Sequence, residues 1–86
     1  MGYVYFLEDS KGKYYIGSTS DLDRRLKQHF SGHTQTTKRM PGLKLVFSQK
    51  FDSLENARKV ESRLKKLKRK DYLKRIVEDG SIKMPP

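Results

Sequence analysis

Glu61 is the residue from which most of the chemistry of this sequence can be argued. On a helical wheel Leu54, Ala57, Val60, Leu64 and Leu67 fill one arc, and Glu61 falls inside it. A carboxylate on the apolar side of a helix loses much of its hydration, so it needs a cation beside it. Two cations fit at this point. One is the guanidinium of Arg25, in a salt bridge. The other is a divalent metal, because magnesium commonly takes only one or two protein carboxylates and completes its shell with water and phosphate. Arg25 and His29 are themselves four residues apart and share one flank of a helix, bordering a stripe of Leu22, Leu26 and Phe30. They are placed either at the edge of a site or on a solvated helix edge, with Asp21 pairing Arg25. Four tyrosines, Tyr3, Tyr5, Tyr14 and Tyr15, lie in one short stretch. Tyrosine favours strands for packing reasons alone, and it also supplies phenols for proton transfer.

The elements that must position these side chains follow from the hydrophobic pattern. Tyr3 to Leu7 reads as a strand, with Tyr3, Tyr5 and Leu7 on one face and Val4 and Phe6 on the other. Tyr14 to Gly17 reads as a second strand, joined to the first by a turn at Gly12. Both faces of the first strand are apolar, so the sheet is expected to be covered on both sides. Ser20 is expected to cap a helix that carries Leu22, Leu26 and Phe30 inward and stops at Ser31-Gly32. His33 to Gly42 reads as a loop carrying Lys38 and Arg39. Leu43 to Phe51 reads as a third strand, with Leu43, Leu45 and Phe47 facing one way. Asp52 or Ser53 then caps the helix of Glu61, and a last helix from Asp71 buries Tyr72, Leu73, Ile76 and Val77 and ends at Gly80. The expected fold is α+β in the α/β layer sense: a central three-stranded antiparallel sheet flanked by helices, in the order β-β-α-β-α-α. Residues 1–80 form one domain, and 81–86 are expected to be a flexible tail.

Composition narrows the partner. The 86 residues hold 20 Lys and Arg against 10 Asp and Glu, a net charge of +10. Ten basic residues and only two acidic ones lie between Arg58 and Arg75, a net of eight positive charges. Such clustering points to a phosphate-facing surface, with Arg58, Arg63, Lys65, Lys66, Lys68, Arg69 and Lys70 as the contacts and Lys38 and Arg39 added from the loop. No stretch approaches the roughly 18 apolar residues of a spanning helix. The start of the chain has no basic region ahead of a long apolar run. There is no cysteine, which excludes disulfides and thiolate metal sites and fits a cytoplasmic setting. Neither a phosphate-binding glycine loop nor a zinc spacing is present.

Four pieces of the sequence, in order, resemble the GIY-YIG nucleases. Tyr3-Val4-Tyr5 stands for the first motif and Tyr15-Ile16-Gly17 for the second. The run from Tyr15 to His29 is similar to the family's second strand and first helix, and Ala57-Arg58-Lys59-Val60-Glu61 to its glutamate helix. In size the chain is most similar to small stand-alone bacterial members. The resemblance implies hydrolysis of a DNA phosphodiester in repair or processing, with a divalent metal, Mg²⁺ or else Mn²⁺, held by Glu61. It implies a base at Tyr5, aided by Tyr15 or His29, phosphate stabilisation by Arg25, and a structural Gly17. Two departures stand out: the first triplet opens on Tyr3 rather than glycine, and no asparagine follows Asn56. The alternative is a module that binds DNA or RNA without cutting it, or an accessory subunit whose target is chosen by a partner protein.

Overall fold

The computed structural model describes residues 1–32, 39–67 and 69–82. Strand β1 runs Gly2–Glu8, and its interior residues Val4 to Leu7 are all buried. It pairs antiparallel with β2, Tyr14–Thr19, in a register that sets Tyr5 opposite Gly17 and Phe6 opposite Ile16. Asp9 closes the hairpin by accepting the backbone N–H groups of Lys11 and Lys13 at 2.9 and 2.8 Å, and Gly12 supplies the positive φ of the turn. Strand β3, Lys44–Phe51, pairs antiparallel with the other edge of β1, so the sheet order is β2-β1-β3. Among the described residues the helices are α1, Leu22–Phe30, α2, Leu54–Leu67, and α3, Lys70–Asp79. The expected α+β order is thus the observed one.

The main core lies on the sheet face of Val4, Phe6 and Ile16. Ala57, Val60 and Leu64 of α2 pack there, joined by Leu73 and Ile76 of α3 and by Phe47. Helix α2 starts where expected, with Ser53 Oγ accepting Asn56 N–H at 3.1 Å. Helix α3 ends at Gly80 in the left-handed region, whose N–H returns to the Ile76 carbonyl. On the opposite face Tyr5 and Leu7 are buried as well, so both sides of the sheet are covered as β1 requires.

Four local expectations change. Asp21, not Ser20, caps α1: its side chain accepts Arg24 N–H at 3.1 Å, while Thr19 Oγ1 accepts Asp21 N–H and holds that residue at the helix start. Phe30 is 52% exposed, and the buried residue of α1 is His29. The inward arc is centred on Leu22 and His29, which leaves Phe30 at its margin; Leu67 is similarly exposed at the end of α2. Leu45 and Phe47 fall on opposite faces, because a register shift between Phe6 and Leu7 leaves Val46 as an extra residue. Finally, the segment after Gly80 begins anchored. Ile82 is buried in the main core, and Gln49 accepts its N–H at 2.7 Å. Residues 83–86 lie outside the described residues.

That anchor predicts a stability effect. Ile82→Ala should lower the unfolding free energy by about 2 kcal/mol or more, the usual cost of emptying a buried isoleucine site. Urea unfolding followed by circular dichroism measures it, and a change below about 0.5 kcal/mol, as at an unpacked surface position, would contradict the packing.

Candidate active site

The alternation of β1 and β2 sends Tyr5, Tyr15 and Gly17 to the face away from the main core, where α1 lies. Tyr5 is only 1% exposed and His29 2% exposed. Each is a buried polar group that needs a partner, and each has one: the Tyr5 hydroxyl is 2.8 Å from His29 Nε2. Arg25 Nε donates to the same hydroxyl oxygen at 3.4 Å, and its Nη1 donates to Gln28 Oε1 at 3.1 Å. The guanidinium has no lone pair to offer, so the phenol proton is left for the imidazole, whose Nε2 accepts it when the ring is neutral and protonated on Nδ1. Tyr15 completes the group, with its ring centroid 5.0 Å from that of His29 and 6.3 Å from that of Tyr5. Arg25 therefore faces Tyr5, not Asp21 as the solvated-edge alternative required.

Gly17 makes this arrangement possible. The Tyr5 ring crosses directly over its Cα. A Cβ at residue 17 would lie 2.5 Å from Tyr5 Cζ and closer still to the phenol oxygen. The glycine is thus required by a side chain crossing its own sheet, which no local backbone rule on β2 would indicate.

Glu61 comes from α2 on the other side of edge strand β2. Its side chain is 16% exposed. The protein cation anticipated for it, Arg25, is turned to Tyr5 and Gln28 instead, and the partner of Glu61 is Lys65, at 2.7 Å from Oε2. Ser18 donates its hydroxyl to Oε1. Spacing alone could have indicated Lys65, which stands at i+4 from Glu61. Ser18 carried no comparable signal beyond its place beside Gly17. Lys65 Nζ also lies over the Tyr15 ring, 6.0 Å from its centroid, and so links the two halves of the site around the strand edge.

The electrostatics follow from burial. Desolvation pushes the Tyr5 phenol up to about 12, against a smaller downward pull from the Arg25 hydrogen bond. Burial lowers the His29 pKa, and the Arg25 charge lowers it further. The resting pair at neutral pH is therefore a protonated phenol facing a neutral imidazole. Among the described residues no three His, Asp or Glu side chains gather as a ready metal cage. The donor set that does exist, one carboxylate and neighbouring hydroxyls, consists of hard oxygens. It fits magnesium, which is satisfied by few protein ligands when water and phosphate supply the rest.

The basic surface is real but unequal in its members. Arg58, Arg63, Lys66 and Lys70 are exposed along α2 and at the start of α3, and Arg39 is exposed before β3. Arg69 is engaged with Asp71 at 2.9 Å, and Lys65 with Glu61. Lys38 and Lys68 lie outside the described residues. No helix among the described residues is long and apolar enough to cross a membrane.

Residues 1–75 match the family model of the GIY-YIG catalytic domain. A UPF0213 protein of Streptococcus pneumoniae is 46% identical over 69 residues, covering 78% of this chain and 69% of that protein. Another, from Halobacterium salinarum, is 37% identical over 70 residues, covering 80% and 91%. The solution NMR structure of the UPF0213 protein BH0048 from Bacillus halodurans matches with a TM-score of 0.58 at 36% identity, over 93% of this chain and 87% of that one.

Two outcomes are expected. Gly17→Ala should destabilise the protein by about 1–3 kcal/mol, as overpacking does. In the double variant with Tyr5→Ala the two losses should fall short of their sum by more than about 0.5 kcal/mol; additive losses in thermal or urea unfolding would show that the ring does not lie on the glycine. Second, His29 should titrate below the ordinary 6.5 of a histidine in a proton NMR pH series. The folded pKa lies below the unfolded one, so the unfolded state binds more protons in that window. Stability should therefore be full above pH ~6.5 and fall as the pH drops from there toward the folded pKa, a loss that His29→Gln should remove.

Proposed function

This chain belongs to the GIY-YIG family, and we propose that it works as a metal-dependent endonuclease that hydrolyses DNA phosphodiester bonds. The observation that carries this reading is the Tyr5 hydroxyl held between Arg25 and His29, with Glu61 across the strand edge. A divalent cation bound at Glu61, Mg²⁺ or Mn²⁺, would polarise a non-bridging phosphate oxygen and steady the leaving oxygen.

The protein's own residues do the rest. Arg25, whose charge the Tyr5 hydroxyl reinforces, offers donors to the phosphate as negative charge builds on it. Tyr5 receives a proton from the attacking water. A phenol pushed to about 12 is not a pre-formed phenolate at neutral pH, so it cannot simply wait as a base. It gives its own proton to His29 Nε2 while taking one from water. The new P–O bond forms on the water oxygen, the bond to the leaving oxygen breaks, and the net proton transfer is from water to imidazole. Tyr15 packs against both rings and holds their relative orientation. Arg58, Arg63, Lys66 and Lys70 bind the flanking backbone without reading bases. These residues read no bases, so they leave the choice of target to DNA shape, to a partner protein or to residues outside this set.

Purified protein with Mg²⁺ or Mn²⁺ should cut at least one substrate in a panel of single-stranded, duplex and branched DNA. Tyr5→Phe, His29→Ala and Glu61→Gln should each lose about 10²-fold or more in single-turnover rate, the scale of a positioned acid or base. The wild-type rate should rise with pH as His29 loses its proton. Equal trace product from the wild type and Glu61→Gln would identify a contaminant and leave a nucleic-acid-binding module as the better description.

A further inference from the structure

Glu61 is fully engaged in the protein as it stands. Its Oε1 takes the Ser18 hydroxyl, and its Oε2 takes the Lys65 ammonium at 2.7 Å. The two partners differ in what it costs to move them. Ser18 is part of β2 and cannot withdraw without the strand. Lys65 sits one turn along α2 on a flexible stem, its side chain 54% exposed, and can leave by changing rotamer. A neighbouring pair of the same spacing, Lys59 with Glu55, shows the ordinary form of this contact: 3.6 Å long, with both side chains more than half exposed. Such exposed pairs contribute little to stability. The Lys65 pair differs because its carboxylate is mostly withdrawn from water, and a carboxylate in that position needs a counter-ion in every state of the protein.

We propose that Lys65 is the resident counter-ion of Glu61 in the metal-free protein, that a divalent cation displaces it, and that the freed ammonium passes to a phosphate of the bound nucleic acid. The inference rests on the reading of Glu61 as the metal-holding group. An ammonium and a divalent cation compete for Oε2 and repel each other there, so metal entry drives Lys65 off the carboxylate. The expelled lysine leaves a carboxylate and needs a new anion. It already lies over the Tyr15 ring, whose own neighbours are Tyr5 and His29, and so is within a side chain's reach of a phosphate bound at that group. Each ligand thereby removes a cost that the other would meet, and by linkage metal and nucleic acid bind with positive coupling. Without nucleic acid, Lys65 keeps the metal affinity low.

Calorimetric titration of the full chain with Mn²⁺ tests this. Lys65→Met should bind Mn²⁺ about fivefold or more tighter than the wild type, the lower range of ordinary site-to-site coupling. Lys59→Met removes the same unit of charge from the same helix without touching Glu61, and should stay near the wild type. Lys65→Arg keeps a cation on Glu61 and should also stay near it. In fluorescence anisotropy with a short labelled duplex, Ca²⁺ in place of EDTA should tighten binding more in the wild type than in Lys65→Met. A Lys65→Met affinity no tighter than that of Lys59→Met, or a gain that Lys65→Arg retains, overturns the displacement while leaving Glu61 as the ligand. Wild-type Mn²⁺ affinity in Glu61→Gln would instead remove Glu61 as the ligand, and the proposal with it.

Discussion

A phenol hydroxyl and an imidazole, both on nearly buried side chains, can be buried together at little cost only if they hydrogen-bond each other. Tyr5 and His29 do so at 2.8 Å, and much of the local architecture is arranged around that hydrogen bond. To reach His29 the Tyr5 ring must lie across β2, so the residue opposite it has to be glycine. To present His29 inward, α1 must turn its inward arc toward Leu22 and His29, which leaves Phe30 in solvent. An apolar side chain is given up so that a polar one can be buried, a choice that hydrophobic burial alone would not make.

The same constraint fixes the charge pattern. Arg25 approaches the Tyr5 oxygen from the side that the imidazole leaves open, and its positive charge helps to keep His29 neutral. Glu61 acts from across the strand edge and helps to raise the Tyr5 pKa. A cation between Glu61 and Tyr5 would counter that push, so the acidity of the phenol depends on what occupies the carboxylate. Lys65 is the cation on that carboxylate in the protein as it stands, so one member of the basic helix is tied to the site itself.

How much of this could be read beforehand depended on whether the cause was local. The strands, the helices and the cap at Ser53 follow from periodicity and short-range hydrogen bonding, and they are where the pattern puts them. Spacing alone placed Arg25 beside His29 and set Glu61 on the inward arc of its helix; joining them with Tyr5 and Tyr15 in one group took the resemblance to the GIY-YIG nucleases. What escaped was long-range or competitive. The Val46 bulge depends on how β3 meets β1, and it splits Leu45 from Phe47 although strict alternation unites them. Asp21 wins the cap because Thr19 positions it. Ile82 is held by Gln49, a residue 33 positions away on β3. The protein partner of Glu61 is not Arg25 across the fold but a lysine one turn along the same helix.

The Tyr5–His29 pair also limits when the proton can move. A phenol raised to about 12 beside an imidazole lowered by burial gives two groups whose affinities for a proton are pushed further apart, in the direction that keeps the proton on oxygen. Transfer to His29 is therefore uphill in the resting protein. It becomes favourable only when the phenol oxygen gains a second proton source at the moment its own proton leaves. Arg25 stabilises negative charge on that oxygen, but burial opposes it more strongly, so no phenolate accumulates. A site built this way does not hold a strong base in readiness. In the proposed reaction basicity arises only when water and phosphate are in place, which would restrain idle reaction on nucleic acid drawn to the basic surface.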